Sequence, residues 1–176
     1  MTPIRVAILA ILLTALVAGV AMYYLQVYAF YDELVPEEAG PVVLTRPDGT
    51  IEPLPVSDLR AIDSHSSPIR FRSCFTAQDP PDMLAGRFDG YEGATPLTAP
   101  GWFDCFDARE IGTALEAGEA RAFLSVRDVQ YGIDRVVAVL PDGRGFAWHQ
   151  INACGEVVFD GNPPPPGCPP VPERPN

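Results

Sequence analysis

Lysine is absent from this chain of 176 residues, and histidine occurs only twice, at His65 and His149. Without lysine, the protein has no Schiff-base nucleophile and no phosphate-binding lysine of the kind found in nucleotide loops. Two histidines, with no Cys-x-x-Cys pair to join them, do not make the clustered ligand set of a zinc or copper site. The sequence also lacks the Gly-x-Ser-x-Gly motif of many serine hydrolases. We therefore predict no metal, no cofactor and no catalytic residue.

Charged residues are missing from positions 6–31, and Leu, Ile, Val and Ala fill most of the first two thirds. About 20 apolar residues are enough to cross a bilayer core, so we predict a transmembrane helix over 6–31. A cleaved signal peptide is the competing interpretation, because Gly19-Val20-Ala21 resembles a cleavage site. The run is longer than the apolar region of a signal peptide and continues past that site. Aromatic side chains, which prefer membrane–water boundaries, collect at its end: Tyr23, Tyr24, Tyr28, Phe30 and Tyr31.

Basic and acidic residues are divided unequally across this segment. Arg5 precedes it, and four acidic residues follow it closely: Asp32, Glu33, Glu37 and Glu38. Because positive residues stay on the cytoplasmic side, we predict a cytoplasmic N-terminus, a single span in a bacterial inner membrane and a periplasmic C-terminal domain. This outer part contains 23 acidic residues and 11 arginines, a formal charge of −12. A charge of that sign repels nucleic acid, so nucleic acid is not an expected partner.

Cysteine appears only after the apolar segment, at Cys74, Cys105, Cys154 and Cys168. An even count in a small exported domain indicates disulfides. Four cysteines allow three pairings, of which we favour Cys74–Cys105 with Cys154–Cys168. The first pair would tie down residues 76–104, a stretch rich in Pro, Gly and Asp that is long for a loop without regular structure.

Strand signals dominate the outer part. Residues 68–75 alternate between the two faces, with Ile69, Phe71, Ser73 and Phe75 on one side, and a period of two is typical of a strand. Asp107, with Glu110 three residues later, predicts a helix that begins with a capping box and ends at Gly118. We predict further strands or helical turns from local composition: strands at 42–44, 51–54, 122–126, 133–140, 146–151 and 157–159, and helical turns at 58–62 and 82–86.

These elements indicate an α+β fold, with an antiparallel sheet of about six strands, one main helix and two disulfides behind an N-terminal transmembrane helix. The predicted layout has five parts: a cytoplasmic N-terminus at 1–5, the transmembrane helix at 6–31, a linker at 32–40, the periplasmic domain at 41–161 and a Pro-rich C-terminal tail at 162–176.

Two sets of residues are candidates for recognition. In the apolar segment, small residues recur at intervals of four, a spacing that lets helices approach closely in lipid: Ala10, Thr14 and Ala18 on one strip, with Ala15 and Gly19 on the next. In the domain, aromatic and polar side chains of the long loop and of the Trp-His-Gln run suit protein recognition: Phe88, Tyr91, Trp102, Phe103, Trp148 and His149. Alternatively, loop aromatics such as Trp102 and Phe103 fold inward and complete the core, and His149 is an ordinary sheet residue.

Four runs of sequence carry a family resemblance: LQVYAFY at 25–31, APGWFDCFDA at 99–108, YGIDRVVAVLPDGRGFAWHQIN at 131–152 and CGEVVFDG at 154–161. Together they resemble a family of uncharacterised, single-span bacterial membrane proteins built on a domain of unknown function. The resemblance covers nearly the whole length. It implies an anchor followed by an exported domain, and it brings no established activity and no catalytic residue.

The expected function is that of a non-enzymatic binding or assembly module with a membrane-protein partner. It would serve as an accessory subunit or biogenesis factor of an envelope or respiratory membrane complex. The alternative is a periplasmic enzyme or ligand-binding sensor with a site near His149 and Trp148. A closed sheet face around His149 would favour the first function, and a concave polar pocket there would favour the second.

Overall fold

The computed structural model describes residues 2–172, so that Met1 and the last four positions of the Pro-rich tail lie outside the described part. The helices are α1 Pro3–Val27, α2 Pro36–Ala39, α3 Pro81–Ala85, α4 Ala108–Glu116 and α5 Ala153–Phe159. The strands are β1 Asp32–Leu34, β2 Val43–Thr45, β3 Ile51–Pro53, β4 Val56–Asp63, β5 Arg72–Ala77, β6 Arg121–Gln130, β7 Ile133–Val139 and β8 Arg144–Ile151.

Six strands form one antiparallel sheet in the order β1-β4-β5-β8-β7-β6, and β2 pairs with β3 in a separate hairpin. Strands β5, β8 and β7 form its centre, where Phe146 lies between Cys74 and Ala138 in the register. Phe71 and Phe75 belong to the core on one face, and Cys74 belongs to the core on the other. The predicted α+β fold and its six-stranded antiparallel sheet are confirmed. The strand predicted from the alternation at 68–75 begins only at Arg72, because residues 68–71 form a turn and an irregular approach to it.

A different part of the chain covers each face of the sheet. On one face, the β2–β3 hairpin and α3 bring Leu44 and Leu84 against the sheet. On the other face, the end of the long loop and α4 contribute Phe103 and Ile111, which join Trp148 of β8. Strands sheltered on both faces need apolar side chains on both, which explains the nearly continuous apolar run of β7.

Both predicted disulfides are present. Cys74–Cys105 links β5 to the end of the long loop across 31 residues, and Cys154–Cys168 links α5 to the tail across 14. By the chain-entropy estimate, bridges that close loops of these sizes contribute about 3 to 4 kcal/mol each. The first bridge fixes the loop on the sheet at the point where its aromatic residues enter the core.

The predicted cap of α4 is only partly as expected. The Asp107 carboxylate accepts hydrogen bonds from the backbone N–H groups of Arg109 and Glu110, at 2.8 and 3.2 Å. The Glu110 carboxylate does not complete a capping box; it pairs with Arg144 at 2.8 Å. That exposed ion pair joins α4 to the start of β8.

Two local predictions are wrong. Residues 58–62, expected as a helical turn, lie in β4, where the irregular register between Ser57 and Arg60 is accommodated by Asp58 at a φ of 55°. Residues 157–159, expected as a strand, lie in α5. Asn152 caps that helix by accepting hydrogen bonds from the N–H groups of Cys154 and Gly155, both at 3.0 Å.

The first helix begins earlier and ends earlier than predicted. It runs from Pro3 to Val27, and residues 28–30 form a turn instead of continuing the helix to 31. The segment 32–40, predicted as a linker, contains β1 and α2, and β1 pairs with the end of β4. The helix therefore connects directly to an edge of the sheet.

Gly155 supplies a test of how α5 is held. Its backbone lies so close to the turn before β7 that a Cβ added at Gly155 would overlap the carbonyl oxygen of Gly132. We expect Gly155→Ala to lower the free energy of unfolding by about 1–3 kcal/mol, the usual effect of overpacking. Urea unfolding of the full chain in detergent, followed by tryptophan fluorescence, measures the change.

The matched control is Gly101→Ala, because no atom lies within 4 Å of a Cβ added at Gly101. An exposed substitution of this kind changes stability by less than about 0.5 kcal/mol. Equal effects of the two substitutions would contradict close packing of α5 on the turn.

Candidate functional site

The six side chains predicted as a recognition surface are mostly inside the protein. Phe88, Phe103, Trp148 and His149 are buried, and Tyr91 and Trp102 are half-buried. Phe88 packs under the hairpin, whereas Phe103 and Trp148 belong to the core of the opposite face. The structure corrects this prediction: these residues do not form one open surface, because loop aromatics fill the space between the loop and the sheet.

His149 has both ring nitrogens engaged. Nε2 accepts a hydrogen bond from Nε of Arg135 at 3.0 Å, so the proton is on Nδ1, which donates to the carbonyl oxygen of Pro68 at 2.6 Å. The ring stacks on Phe71, with 4.9 Å between the centroids. Burial, followed by the positive charge of Arg135, lowers the pKa of His149 to about 4. The neutral imidazole therefore has no nitrogen free to accept a further hydrogen bond.

Gln150 holds the long loop to the end of β8. Its amide oxygen accepts hydrogen bonds from the backbone N–H of Thr95 at 2.7 Å and from Trp148 Nε1 at 3.3 Å. Its amide nitrogen donates to the carbonyl oxygen of Gly93 at 2.9 Å. The Trp-His-Gln run therefore positions two loops, and the sequence cluster has a structural explanation.

Arg72 secures the next part of the loop. Its guanidinium donates to the carbonyl oxygens of Leu97 and Ile69, at 2.7 and 2.8 Å, and also to those of Phe71 and Thr98. The side chain is buried, and burial lowers the pKa of Arg72 to about 10. Backbone carbonyls are the principal partners of this cation, which fixes residues 97–98 against β5.

A buried carboxylate, Asp134, was not found by sequence reasoning. One of its oxygens accepts from Asp128 N and Asn152 Nδ2, both at 2.9 Å, and the other accepts from the Tyr91 hydroxyl at 3.2 Å. Burial, and then the charge of Asp134, raise the pKa of Tyr91. The network joins the end of β6, the cap of α5 and the long loop. A polar residue inside an apolar strand was the available signal in the sequence.

The end of α1 is attached to the domain by aromatic contacts. Trp102 Nε1 donates a hydrogen bond to the carbonyl oxygen of Val27 at 2.8 Å, one of the carbonyls that a helix end leaves without a partner. The indole stacks on Tyr28, with 6.3 Å between centroids, and meets Tyr31 edge-on. Because Trp102 is three residues from Cys105, the disulfide and this hydrogen bond together fix α1 to the sheet.

Arg70 lies at the same junction. Its guanidinium carbon is 5.4 Å from the ring centroid of Phe30 and 5.5 Å from that of Tyr31, within the range of cation–π contact. A groove of about 540 Å³ opens beside it, with walls from the end of α1, from β5 and its approach, and from the loop at 97–101. The groove is the place where a helix end, aromatic rings and two arginines come together.

A second groove, of about 670 Å³, lies between the loop at 90–96, one side of α4 and the start of β6. Its walls include Tyr91, Leu115 and Glu116, and it is separate from His149 and from the junction. Through residues 2–172, no group of three or more His, Cys, Asp and Glu side chains is placed to hold a metal ion. All four cysteines are in disulfides.

Comparison with protein families gives a match over residues 42–169, which is most of the chain, to a family of unknown function, DUF6446. The chain belongs to the DUF6446 family. No curated protein and no solved structure matches it.

The DUF6446 match covers five of the six strands of the sheet, both disulfides and the residues that secure the long loop, but not α1, β1 or α2. At the junction, Arg70 and Trp102 fall within the matched region, whereas Val27, Tyr28 and Tyr31 precede it. The family therefore accounts for the domain and brings no activity that would assign a role to either groove.

The buried state of His149 predicts a pH-dependent stability. Above pH 6.5, the ring is neutral in both the folded and the unfolded chain. Because the pKa falls to about 4 on folding, only the unfolded chain takes up this proton between pH 6.5 and 4. Stability should thus fall through that window, by up to about 3 kcal/mol from this group. Urea unfolding at several pH values measures it.

His149→Gln removes the titrating group and should flatten this part of the pH profile, whereas His65→Gln, at an exposed position, should leave it unchanged. The difference between the two variants separates His149 from the acidic residues that also titrate near pH 4. A profile that is the same in both variants would contradict the assignment.

Proposed function

We propose that the protein is a non-enzymatic, single-span membrane protein whose periplasmic domain, fixed on the end of its anchor, binds a membrane-protein partner. It would act as an accessory subunit or biogenesis factor of an envelope or respiratory complex in the bacterial inner membrane. The main support is the junction, where Trp102 bonds to Val27 and stacks on Tyr28. A domain held in this way presents a constant face to anything beside its anchor.

Helix α1 has the properties of an anchor. It is long and apolar enough to cross a membrane, although a signal sequence passes the same test. None of its side chains is buried in the protein, so its apolar surface needs another apolar environment. Cleavage near Ala21 would leave Val27 and its contact with Trp102 in the mature chain, so this contact does not distinguish an anchor from a signal peptide. The apolar run at 6–31 is longer than the apolar region of a signal peptide and continues past Ala21, which favours an anchor that is retained.

Charge and redox chemistry support the periplasmic side for the domain. Arg5 precedes α1, whereas Asp32 and Glu33 follow it immediately, and positive flanks remain in the cytoplasm. The two disulfides, Cys74–Cys105 and Cys154–Cys168, form and persist in an oxidising compartment.

The surroundings of His149 weigh against the alternative, an enzyme or ligand-binding sensor with its site beside Trp148. Both ring nitrogens of His149 are hydrogen-bonded, and Trp148 is fully buried. The four cysteines are in disulfides and do not serve as nucleophiles. The polar side chains of His149 and Gln150 hold the loops at Pro68 and at 93–95.

The anchor is also a proposed contact surface for the partner. Small residues lie on one side of α1, and Thr14 satisfies its hydroxyl within the helix by donating to carbonyls one turn back. A Cβ at Gly19 meets no atom of the chain within 4 Å. The strip is therefore open to close approach by another helix. Close approach allows the van der Waals contacts that stabilise helix pairs in lipid.

The topology has a direct test. Proteinase K added to intact spheroplasts should digest the domain of a C-terminally tagged chain, because residues after α1 are outside. A cytoplasmic protein in the same spheroplasts should remain intact and so controls for leakage. Full protection of the domain, with digestion only after lysis, would contradict the proposed orientation.

The role of the anchor is tested with Ala15→Leu and Gly19→Leu together. Leucine is favourable in a bilayer, and α1 has no neighbours in the chain at Gly19, so insertion and domain folding should be unaffected. If the strip contacts a partner helix, the added bulk should abolish co-purification of that partner after extraction in a mild detergent.

The matched control is Leu16→Phe with Val20→Leu, which adds bulk about 100° around the helix from Ala15 and Gly19 and on the side opposite Ala18. It should retain the partner. If both double variants retain the same partner, α1 serves only as a tether and recognition lies in the domain. Loss of the partner in both would point to general disturbance of the helix.

A further inference from the structure

We propose that the groove beside the end of α1 binds the phosphate of a membrane phospholipid, with Arg70 as its cationic ligand. The proposal rests on the proposed function only in requiring that α1 spans a membrane. It assigns a lipid site to a protein for which neither the family nor the fold indicates one. It follows from the position of the groove relative to the membrane, from its charge and from its shape.

The position of the groove relative to the membrane surface follows from the length of α1. A helix of 25 residues is about 37 Å long, whereas the hydrocarbon core of a bilayer is about 30 Å thick, or about 40–45 Å with the headgroups. The last turn of α1 thus lies at headgroup level when the aromatic belt of Tyr23 and Tyr24 is at the boundary. Gln26 and Val27 of that turn form one wall of the groove, which places the groove among the lipid phosphates.

The charge at the groove is opposite to that of the domain as a whole. The outer part carries a formal charge of −12, and five of its arginines are paired with carboxylates: Arg46, Arg60, Arg87, Arg121 and Arg144. Among residues 2–172, no carboxylate lies within ion-pair distance of Arg70. The same holds for four other described arginines of the outer part, of which Arg72 alone also lines the groove.

Arg70 and Arg72 contribute differently. Arg72 donates to four backbone carbonyls, so it supplies positive charge but few free N–H groups. Arg70 rests on the rings of Phe30 and Tyr31, and this contact leaves the edge of its guanidinium available. That edge is the part that binds phosphate oxygens in a bidentate manner.

The shape of the groove suits a lipid better than a free ion. Its volume of about 540 Å³ is within the range of small-molecule sites and far larger than a phosphate group needs. Gln26 and Ser67 add polar donors on the side of Arg70 and α1, while Ile69, Leu97 and Pro100 add apolar surface. A phosphodiester with a glycerol backbone matches this division, with its phosphate at Arg70 and its acyl chains running into the bilayer beside α1.

The experiment is native mass spectrometry of the full chain released from detergent, titrated with three probes: dioleoyl phosphatidylglycerol, dioleoyl phosphatidylethanolamine and dioleoylglycerol, which lacks the phosphate. Both phospholipids should be retained at one site, and dioleoylglycerol should not. Arg70→Gln should weaken phospholipid retention by at least about tenfold, the effect expected for a lost charged hydrogen bond. Arg70→Lys keeps the charge without the planar edge, so its retention of phospholipid should lie between that of the unchanged chain and that of Arg70→Gln.

The matched control is Arg127→Gln, which removes the same charge from an exposed arginine outside the groove and should retain phospholipid like the unchanged chain. Unfolding midpoints of all variants, followed by tryptophan fluorescence, should agree and so exclude loss of folding. Inorganic phosphate at millimolar concentration should not displace the lipid; displacement would assign the groove to a free anion. Equal retention by Arg70→Gln and the unchanged chain, or equal retention of dioleoylglycerol, would overturn the proposal.

The outcome can be separated from that of the proposed function. Resistance of the chain to carbonate extraction reports membrane insertion, and co-purification reports the partner. A chain that is inserted and retains its partner, but binds phospholipid without regard to Arg70, would refute the lipid site alone. A chain that is released by carbonate would refute the anchor on which both proposals depend.

Discussion

The need to provide partners for the backbone of a long, mostly irregular segment governs this structure. Residues 78–107 contain one short helix, α3, and otherwise lie across and beside the sheet, where unpaired N–H and C=O groups are costly. Side chains of the sheet supply those partners. Arg72 donates to the carbonyls of Leu97 and Thr98, and Gln150 bonds to both Gly93 and Thr95. The loop is ordered because strands β5 and β8 present polar groups to it.

The same constraint sets the position of α1. Once Arg72 and the Cys74–Cys105 bridge fix the loop, Trp102 is held at the edge of the sheet with its indole N–H directed at the end of α1. A helix end has carbonyls without intrahelical partners, and Val27 supplies one of them. The disulfide thus fixes the loop, the loop fixes the indole of Trp102, and the indole fixes the end of α1.

Sequence patterns predicted the elements whose signal is local. The second half of the strand predicted at 68–75, the cap at Asp107 and both disulfides were found, because period, capping chemistry and the need to close a long loop can be recognised in the chain alone. The residues at 157–159 were predicted wrongly as a strand, since β-branched and aromatic side chains favour strands in general. The cap at Asn152 and the close contact of Gly155 with Gly132 override that preference, and the second of these is a tertiary contact that no local pattern reveals.

The candidate site was harder to predict for a related reason. A run such as Trp148, His149 and Gln150 has the composition of an active site, yet buried polar side chains must be hydrogen-bonded whether or not they perform chemistry. In this fold the loops use them fully, as His149 shows with one donor and one acceptor contact. Arg70 shows the opposite pattern: it is half-exposed, lies on aromatic rings and is outside the ion pairs that involve five other arginines. A charged group whose partners are not supplied by the fold is the better indicator of what the protein binds.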